Sequence, residues 1–387
     1  MKKKIIRTAT VAMSLDILLK GQLAYLNKQY EIVALSGQDQ YLQNVAKREQ
    51  VKTIAITITR PIAPIQDLVA LIKLYRTFKS EKPLIVHSIT PKAGLLSMIA
   101  GYFAKVPIRI HVFTGLVFPT RTGFIQQLLI FLDKILCRFA TNVYPEGQGV
   151  KNDLIAYKIT KKPLKIIANG NVNGIDIAYF NPNLFTENDN SAIRNKLQIK
   201  ENDFVFIFVG RLVKDKGINE LSQAFVKLQS TNKNVKLLLV GNFENDLDPL
   251  LPETYVILEN NKSIISVGFQ VDVRPYFAIA NALVFPSYRE GFPNVVLQAG
   301  AMSLPSIVTN INGCNEIITN QQNGLIIQPK NVQQLVEAMT KLLNEPNLVN
   351  ALKNNSRINI IKKFDQNLVW KAILEEYKLL ENQKELI

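Results

Sequence analysis

Short runs rich in β-branched and aromatic residues recur along the chain, separated by stretches whose apolar positions repeat every three or four residues. Runs at residues 4–13, 31–35, 53–59, 84–89, 108–113, 141–144 and 164–168 predict strands in the first half. Runs at 204–209, 235–240, 264–267, 282–286, 306–309 and 324–327 predict them in the second. Between them, stretches such as 65–78, 218–229 and 332–343 carry the pattern of helices with one apolar face. Strand–helix alternation of this kind builds parallel sheets covered by helices on both sides. Two such series predict an α/β protein of two doubly wound, Rossmann-like domains. The segment NGNVNGIDIAYFNPNL (169–184), dense in Asn, Gly and Pro, is the expected join. The domains are thus expected at 1–180 and 181–364. Residues 365–387 read as a long helix that packs back on the first domain. Ligands of open parallel sheets bind at the carboxyl ends of the strands, so two facing domains would enclose a cleft between two such edges.

A length of 387 residues accommodates two domains, and 47% hydrophobic with 20% charged residues is globular usage that excludes wholesale disorder or a fibre. The charge is divided unevenly. Residues 1–185 hold 25 basic and 10 acidic residues, whereas residues 186–387 hold 21 of each, so the whole net charge of +15 sits in the first half. One basic and one neutral half imply divided labour rather than general polyanion binding. Cys137 and Cys314 cannot make a disulfide framework and read as buried thiols in a reducing cytoplasm. At the start, Arg7 and Asp16 interrupt the apolar stretch, which fits a basic tail entering a first strand better than a secretory leader. No segment reads as a membrane span, so membrane contact is expected to be peripheral.

The strongest chemical signal is FPSYREGFPNVVLQAGAM (285–302). A buried strand runs into Glu290-Gly291-Phe292-Pro293 and then a helix, with Pro293 suited to its first turn. Gly291 allows close backbone approach, and N–H groups near Asn294, Val295 and Val296 can hold an anion at the helix start. Glu290, too close to be a second anion ligand, suits acceptance of hydrogen bonds from sugar hydroxyls; a solvated helix start is the plainer alternative. In FVGRLVKDKG (208–217), a strand ends at Gly210, and Arg211 and Lys216 flank a turn. A planar fork and a compact ammonium make a natural diphosphate clamp, although both residues are also common in solvated turns. Together these segments describe a site for a nucleotide diphosphate bearing a hydroxyl-rich group.

With these motifs the sequence resembles the retaining family-4 glycosyltransferases of the GT-B fold, along nearly its whole length and most densely over residues 209–329. It looks closest to the branch that builds bacterial capsule, O-antigen and polyprenyl-diphosphate-linked oligosaccharides. Further cues are LLKGQL (18–23), HSITPKAGLL (87–96), RIHVFTG (109–115), NGNVNGID (169–176) and INGCNEII (311–318). The resemblance implies that Arg211 and Lys216 grip the donor diphosphate, that Glu290 holds donor-sugar hydroxyls, and that Gly210, Gly291, Phe292, Asn294 and Val295 line the donor phosphates. It puts the loop 268–272, with Gly268 and Asp272, by the base. The family's second Glu, eight residues after the first, is here Gln298, which can bond a ribose diol only as a neutral partner.

In the first half, Gly21 and Gln22 are expected to approach donor phosphates or acceptor, and His87, Arg109, His111 and Thr114 to lie at the acceptor or the cleft. Histidines that the family often carries are absent at Ile89 and near Thr114. The pair Asp246 and Asp248 superficially resembles a metal-binding DxD, but GT-B transferases need no metal, and none is expected. No cofactor is expected beyond the donor, a UDP-sugar by preference. Residues 120–140 read either as a core helix or as a helix lying on anionic lipid. No nucleic-acid motif accompanies the charge. The expected activity is retaining transfer of a hexose or N-acetylhexosamine to a polyprenyl-diphosphate-linked saccharide, at an anionic membrane surface on the cytoplasmic face. The rivals are a sugar-nucleotide epimerase and a basic membrane-binding protein with a degenerate transferase site.

Overall fold

The computed structural model describes residues 2–244, 246 and 248–385. The chain divides into two compact units, Met1–Gly174 with Gln366–Ile387, and Ile175–Asp365. The division falls inside the Asn/Gly-rich join, six residues before the expected boundary.

The first unit holds β1 (Lys4–Thr8), β2 (Glu31–Ser36), β3 (Lys52–Ala55), β4 (Ile85–Ser88), β5 (Ile108–Phe113) and β6 (Asn142–Pro145), all parallel in the order β3-β2-β1-β4-β5-β6. The second holds β7 (Phe204–Val209), β8 (Val235–Val240), β9 (Ile264–Ser266), β10 (Ala282–Phe285), β11 (Ser306–Thr309) and β12 (Gly324–Ile327), also parallel, in the order β12-β11-β10-β7-β8-β9. The two orders are the same when each sheet is counted from its own first strand. The direction of winding therefore reverses between β1 and β4 in one sheet and between β7 and β10 in the other.

The central strands are apolar runs because both their faces are covered. Residues 205–208, Val-Phe-Ile-Phe, are all fully buried. Helix Gln366–Glu385 belongs to the first unit because Val369, Ile373, Tyr377 and Leu380 complete the core around Ile5, Ile32 and Ile110. Three predicted elements differ, one of them the run 53–59, whose strand ends at Ala55. The first strand stops at Thr8, and a helix starts at Ala12. Residues 164–168 form no strand: Leu164 makes one isolated bridge to Val143, and Ala168 turns into the left-handed region at φ 52°. Among the described residues no helix is long and apolar enough to cross a membrane.

Candidate active site

The chemistry-bearing segments of the second unit meet at its reversal point, where β7 and β10 lie side by side with Ile207 paired to Leu283. Crevices at such points receive ligands because neighbouring loops leave the sheet in opposite directions. After β7 the chain crosses Gly210 and Arg211, then turns through a short 3₁₀ segment, Lys214–Lys216. After β10 it passes Pro286 to Pro293 before helix Asn294–Ala301.

Hydrogen bonds stitch these loops together. The Asp215 carbonyl accepts from Tyr288 N at 2.8 Å and from Ser287 Oγ at 3.3 Å, while its carboxylate pairs with Arg289 at 2.9 Å. Ser287 is wholly buried and also donates to Glu290 Oε1 at 2.8 Å. Lys216 forms an ion pair with the same Glu290 oxygen, its ammonium 5.6 Å from the centre of the Phe285 ring. Arg211 is paired with Glu244 at 2.7 Å and remains substantially exposed. Burial alone would lower its guanidinium, but the hydrogen bond and charge of Glu244, with the charges of Asp215 and Glu290, raise it overall. The result is a half-open patch in which Arg211, Lys216 and Glu290 are each held by protein partners.

Glycines let backbones close around this patch. A β-carbon at Gly241 would stand 1.8 Å from the carbonyl oxygen of Gly210, and one at Gly217 would stand 2.2 Å from that of Pro286. Gly313, at φ 73°, presses on the EGFP turn; a β-carbon there would be 2.4 Å from the Gly291 oxygen and 2.7 Å from Phe292 Cα. Phe292 is buried, with its ring 5.5 Å from Phe364, so only its backbone is offered outward. Helix Asn294–Ala301 leaves Asn294, Val295 and Gln298 half-buried while its other side chains are buried. Asn294 and Gln298, one turn apart, therefore share its accessible face. Two expectations about this helix start are corrected. Pro293 occupies the position before the helix rather than its first turn, and the Val296 N–H is spent on the Pro293 carbonyl at 3.1 Å. Gly268 accepts from Gly241 N at 2.9 Å, whereas the Asp272 carboxylate grips Arg274 through bonds of 2.8 and 2.6 Å. Asp272 thus shapes its loop around Arg274, which lies 3.5 Å from the Tyr179 ring centre.

Several residues expected at the acceptor side hold the first unit together instead. Gly21 lies under Trp370, whose ring would be 2.6 Å from an added β-carbon. Gln22 is wholly buried, accepting from Arg7 and donating to the Val172 carbonyl and Asn173. Arg109 sits near the amino end of β5, and its guanidinium donates to the carbonyls of Phe139 and Val106 at 2.7 and 2.6 Å. His87 and His111 lie within β4 and β5 and are buried, bonded to Tyr377 and Ser88 respectively. Burial pushes both imidazoles down, His111 to about 3, so both are neutral. Thr114 does emerge at the carboxyl end of β5, half-buried, donating to the Ile89 carbonyl. Of the DxD pair, Asp248 accepts from Asp215 N at 2.7 Å, and Leu247 between the two lies outside the described residues. Among the described residues no cluster of three His, Cys, Asp or Glu has metal-binding geometry. The sequence reasoning missed Glu244 and Ser287, single polar residues without a motif whose roles depend on contacts across the sheet. It also placed no weight on Arg7.

Residues 189–359 match the family described as Glycosyl transferases group 1, and residues 11–146 match Glycosyl transferase 4-like. The capsular polysaccharide biosynthesis glycosyltransferase CapM of Staphylococcus aureus is 32% identical over 390 residues, covering 99% of each chain. The chain belongs to the group 1 glycosyl transferases. A second relative of this transferase is the UDP-Gal:alpha-D-GlcNAc-diphosphoundecaprenol alpha-1,3-galactosyltransferase of Escherichia coli, 27% identical over 80% of this chain and 79% of that protein. Among solved structures, Anabaena Alr3699/HepE in complex with UDP and glucose superimposes with a TM-score of 0.83, at 18% identity, over 98% of this chain and all of that one. That likeness concerns the fold: the transferase is a GT-B protein with two Rossmann-like units.

Proposed function

We propose that this transferase moves a hexose or N-acetylhexosamine from a nucleotide-diphosphate sugar, a UDP-sugar by preference, to a lipid-linked saccharide in surface polysaccharide synthesis, retaining anomeric configuration. The observation that carries the reading is the fixed set Arg211, Lys216 and Glu290 at the reversal point of the second sheet. A diphosphate entering there competes for Arg211 and Lys216 with Glu244 and Glu290. Bound to the two cations, it has the charge that develops on its leaving oxygen stabilised, the electrostatic term that is usually largest in such chemistry. Glu290, freed toward the sugar, accepts from its hydroxyls. The acceptor oxygen forms the new bond to the anomeric carbon as the carbon–phosphate oxygen bond breaks on the same face, and the departing diphosphate takes the acceptor proton. The backbone at Gly291, Phe292, Asn294 and Val295 lines the phosphates, and Gln298 reaches the ribose as a neutral partner. The relatives support UDP and a diphospholipid acceptor by the substrates in one name and the nucleotide in one structure.

The membrane partner rests on the first unit's surface. Ile65, Leu68, Val69 and Ile72 are exposed along helix Pro64–Glu81, with Phe103, Phe124 and Phe131 exposed on helices Pro91–Phe103 and Gly123–Phe139. A basic depression of about 670 Å³ at the amino ends of β1, β4 and β5 includes Lys79, Lys82 and Lys105. Apolar surface with a basic margin suits the cytoplasmic face of an anionic bilayer.

The test is a screen of nucleotide sugars against polyprenyl-diphosphate saccharides, with product configuration read by NMR. A retained linkage formed only with both substrates supports the reading. Free nucleotide with an epimerised sugar and no acceptor would make the protein an epimerase, and no turnover with any pair would favour a binding protein.

A further inference from the structure

Arg7 is an interior strand residue with a full charge. It is 1% exposed, flanked in the sheet by Ala34 of β2 and His87 of β4, against a core of aliphatic and tyrosine side chains. Its Nη1 donates to Gln22 Oε1 at 2.8 Å and to the Tyr377 hydroxyl at 3.1 Å, while its Nε is buried and has no partner. No carboxylate among the described residues forms an ion pair with it. An arginine does not shed its proton to escape burial, and an uncompensated interior charge costs several kcal/mol, so a counter-charge is expected.

The proton order of the neighbouring network adds a second donor. The Tyr377 hydroxyl accepts from Arg7 and so directs its own proton to His87 Nδ1, 2.6 Å away. The neutral His87 ring then carries its hydrogen on Nε2, which is also buried without a partner. Desolvation, with the charge of Arg7, keeps that ring from taking a second proton. Two orphaned N–H groups thus belong to side chains that line one small cavity of about 20 Å³, with Tyr144, Asn171, Glu146 and Ile373 among its other walls. That volume suits a particle the size of a water molecule or a halide ion. A water would satisfy both donors but leave the guanidinium charge uncompensated.

We infer that this cavity is a binding site for a single halide-sized anion, chloride in ordinary media, held by Arg7 Nε and His87 Nε2. The site lies at the reversal point of the first sheet, and its wall includes Ile373 of helix Gln366–Glu385, so the anion fastens that helix to the sheet. All of its lining residues belong to the first unit, and it needs no substrate.

Crystals of the full chain soaked in sodium bromide, with diffraction recorded at the bromine edge, test it directly. The expected result is an anomalous peak in contact with both nitrogens. In solution, sodium chloride or bromide should raise the melting temperature about 2–4 °C above sodium gluconate of equal ionic strength, and Arg7→Met should erase the difference. The inference is overturned by water density or the Glu146 carboxylate in the cavity with no anomalous signal there. It is overturned equally by a halide effect that Arg7→Met leaves unchanged. Should that variant not fold, the wild-type crystals decide alone.

Discussion

Lys216 and Glu290 are each about 15% exposed, so neither charge is fully hydrated, and each serves as the other's counter-ion. Truncating Lys216 to Ala leaves Glu290 to the Ser287 hydroxyl alone. Folding should survive this, whereas a lost leaving-group contact should cost about 10²–10³ in kcat. Steady-state kinetics would check it, and a kcat within a few-fold of wild type would remove Lys216 from the chemistry. Gln298 shares the accessible face of its helix with Asn294. If that face receives the ribose, Gln298→Glu should lower the donor KM by up to about tenfold, because a charged acceptor bonds a diol more strongly. An unchanged KM would place the ribose elsewhere.

At the scale of elements, the EGFP turn is shaped from outside by the segment around Gly313. Gly313→Ala needs both a left-handed backbone and space that the Gly291 carbonyl occupies, so it should move the turn rather than merely destabilise it. The expectation is a donor KM raised at least several-fold with acceptor KM little changed, measured by varying each substrate separately. Most strands and the meeting of the loops that carry Lys216 and Glu290 were legible in the sequence, because buried strands announce themselves as apolar runs and Gly, Pro and Glu sit together at the loop. The acceptor-side residues were not. Gly21, Gln22 and His87 look like loop or strand-end chemistry until helix Gln366–Glu385, from the far end of the chain, brings Trp370 over Gly21 and Tyr377 to His87 and to the Arg7 that holds Gln22. Arg109 was misjudged for a simpler reason: it stands at the amino end of its strand, away from the edge where ligands bind.

For the whole molecule, charge follows architecture. Counted by structural unit, the first holds 28 basic and 13 acidic residues and the second 18 of each, so the excess of +15 again falls on one side. Replacing Lys79, Lys82 and Lys105 by Glu removes three surface cations at about 1 kcal/mol each, and binding to vesicles rich in phosphatidylglycerol should fall about a hundredfold. Co-sedimentation would show it; undiminished binding would move the docking face elsewhere. Acid stability is also a property of the first unit. His87 and His111 are held neutral when folded, so the unfolded chain binds more protons below about pH 6.5 and stability falls with pH from there. Asp133, pushed up to about 7 by burial, works in the opposite sense because the folded state keeps its proton. The net loss between pH 6.5 and 5 should approach about 1.4 kcal/mol per pH unit, and Asp133→Asn should steepen it in denaturant titrations. A flat profile would contradict the buried neutral histidines.

The central claim is that Arg211 and Lys216 hold a nucleotide diphosphate that leaves as a lipid-linked acceptor takes the sugar. The most direct measurement is nucleotide release with and without that acceptor, in the wild-type chain and in Arg211→Ala. Release that requires the acceptor and falls at least a hundredfold in the variant is the predicted result. Full acceptor-dependent release by Arg211→Ala would contradict it.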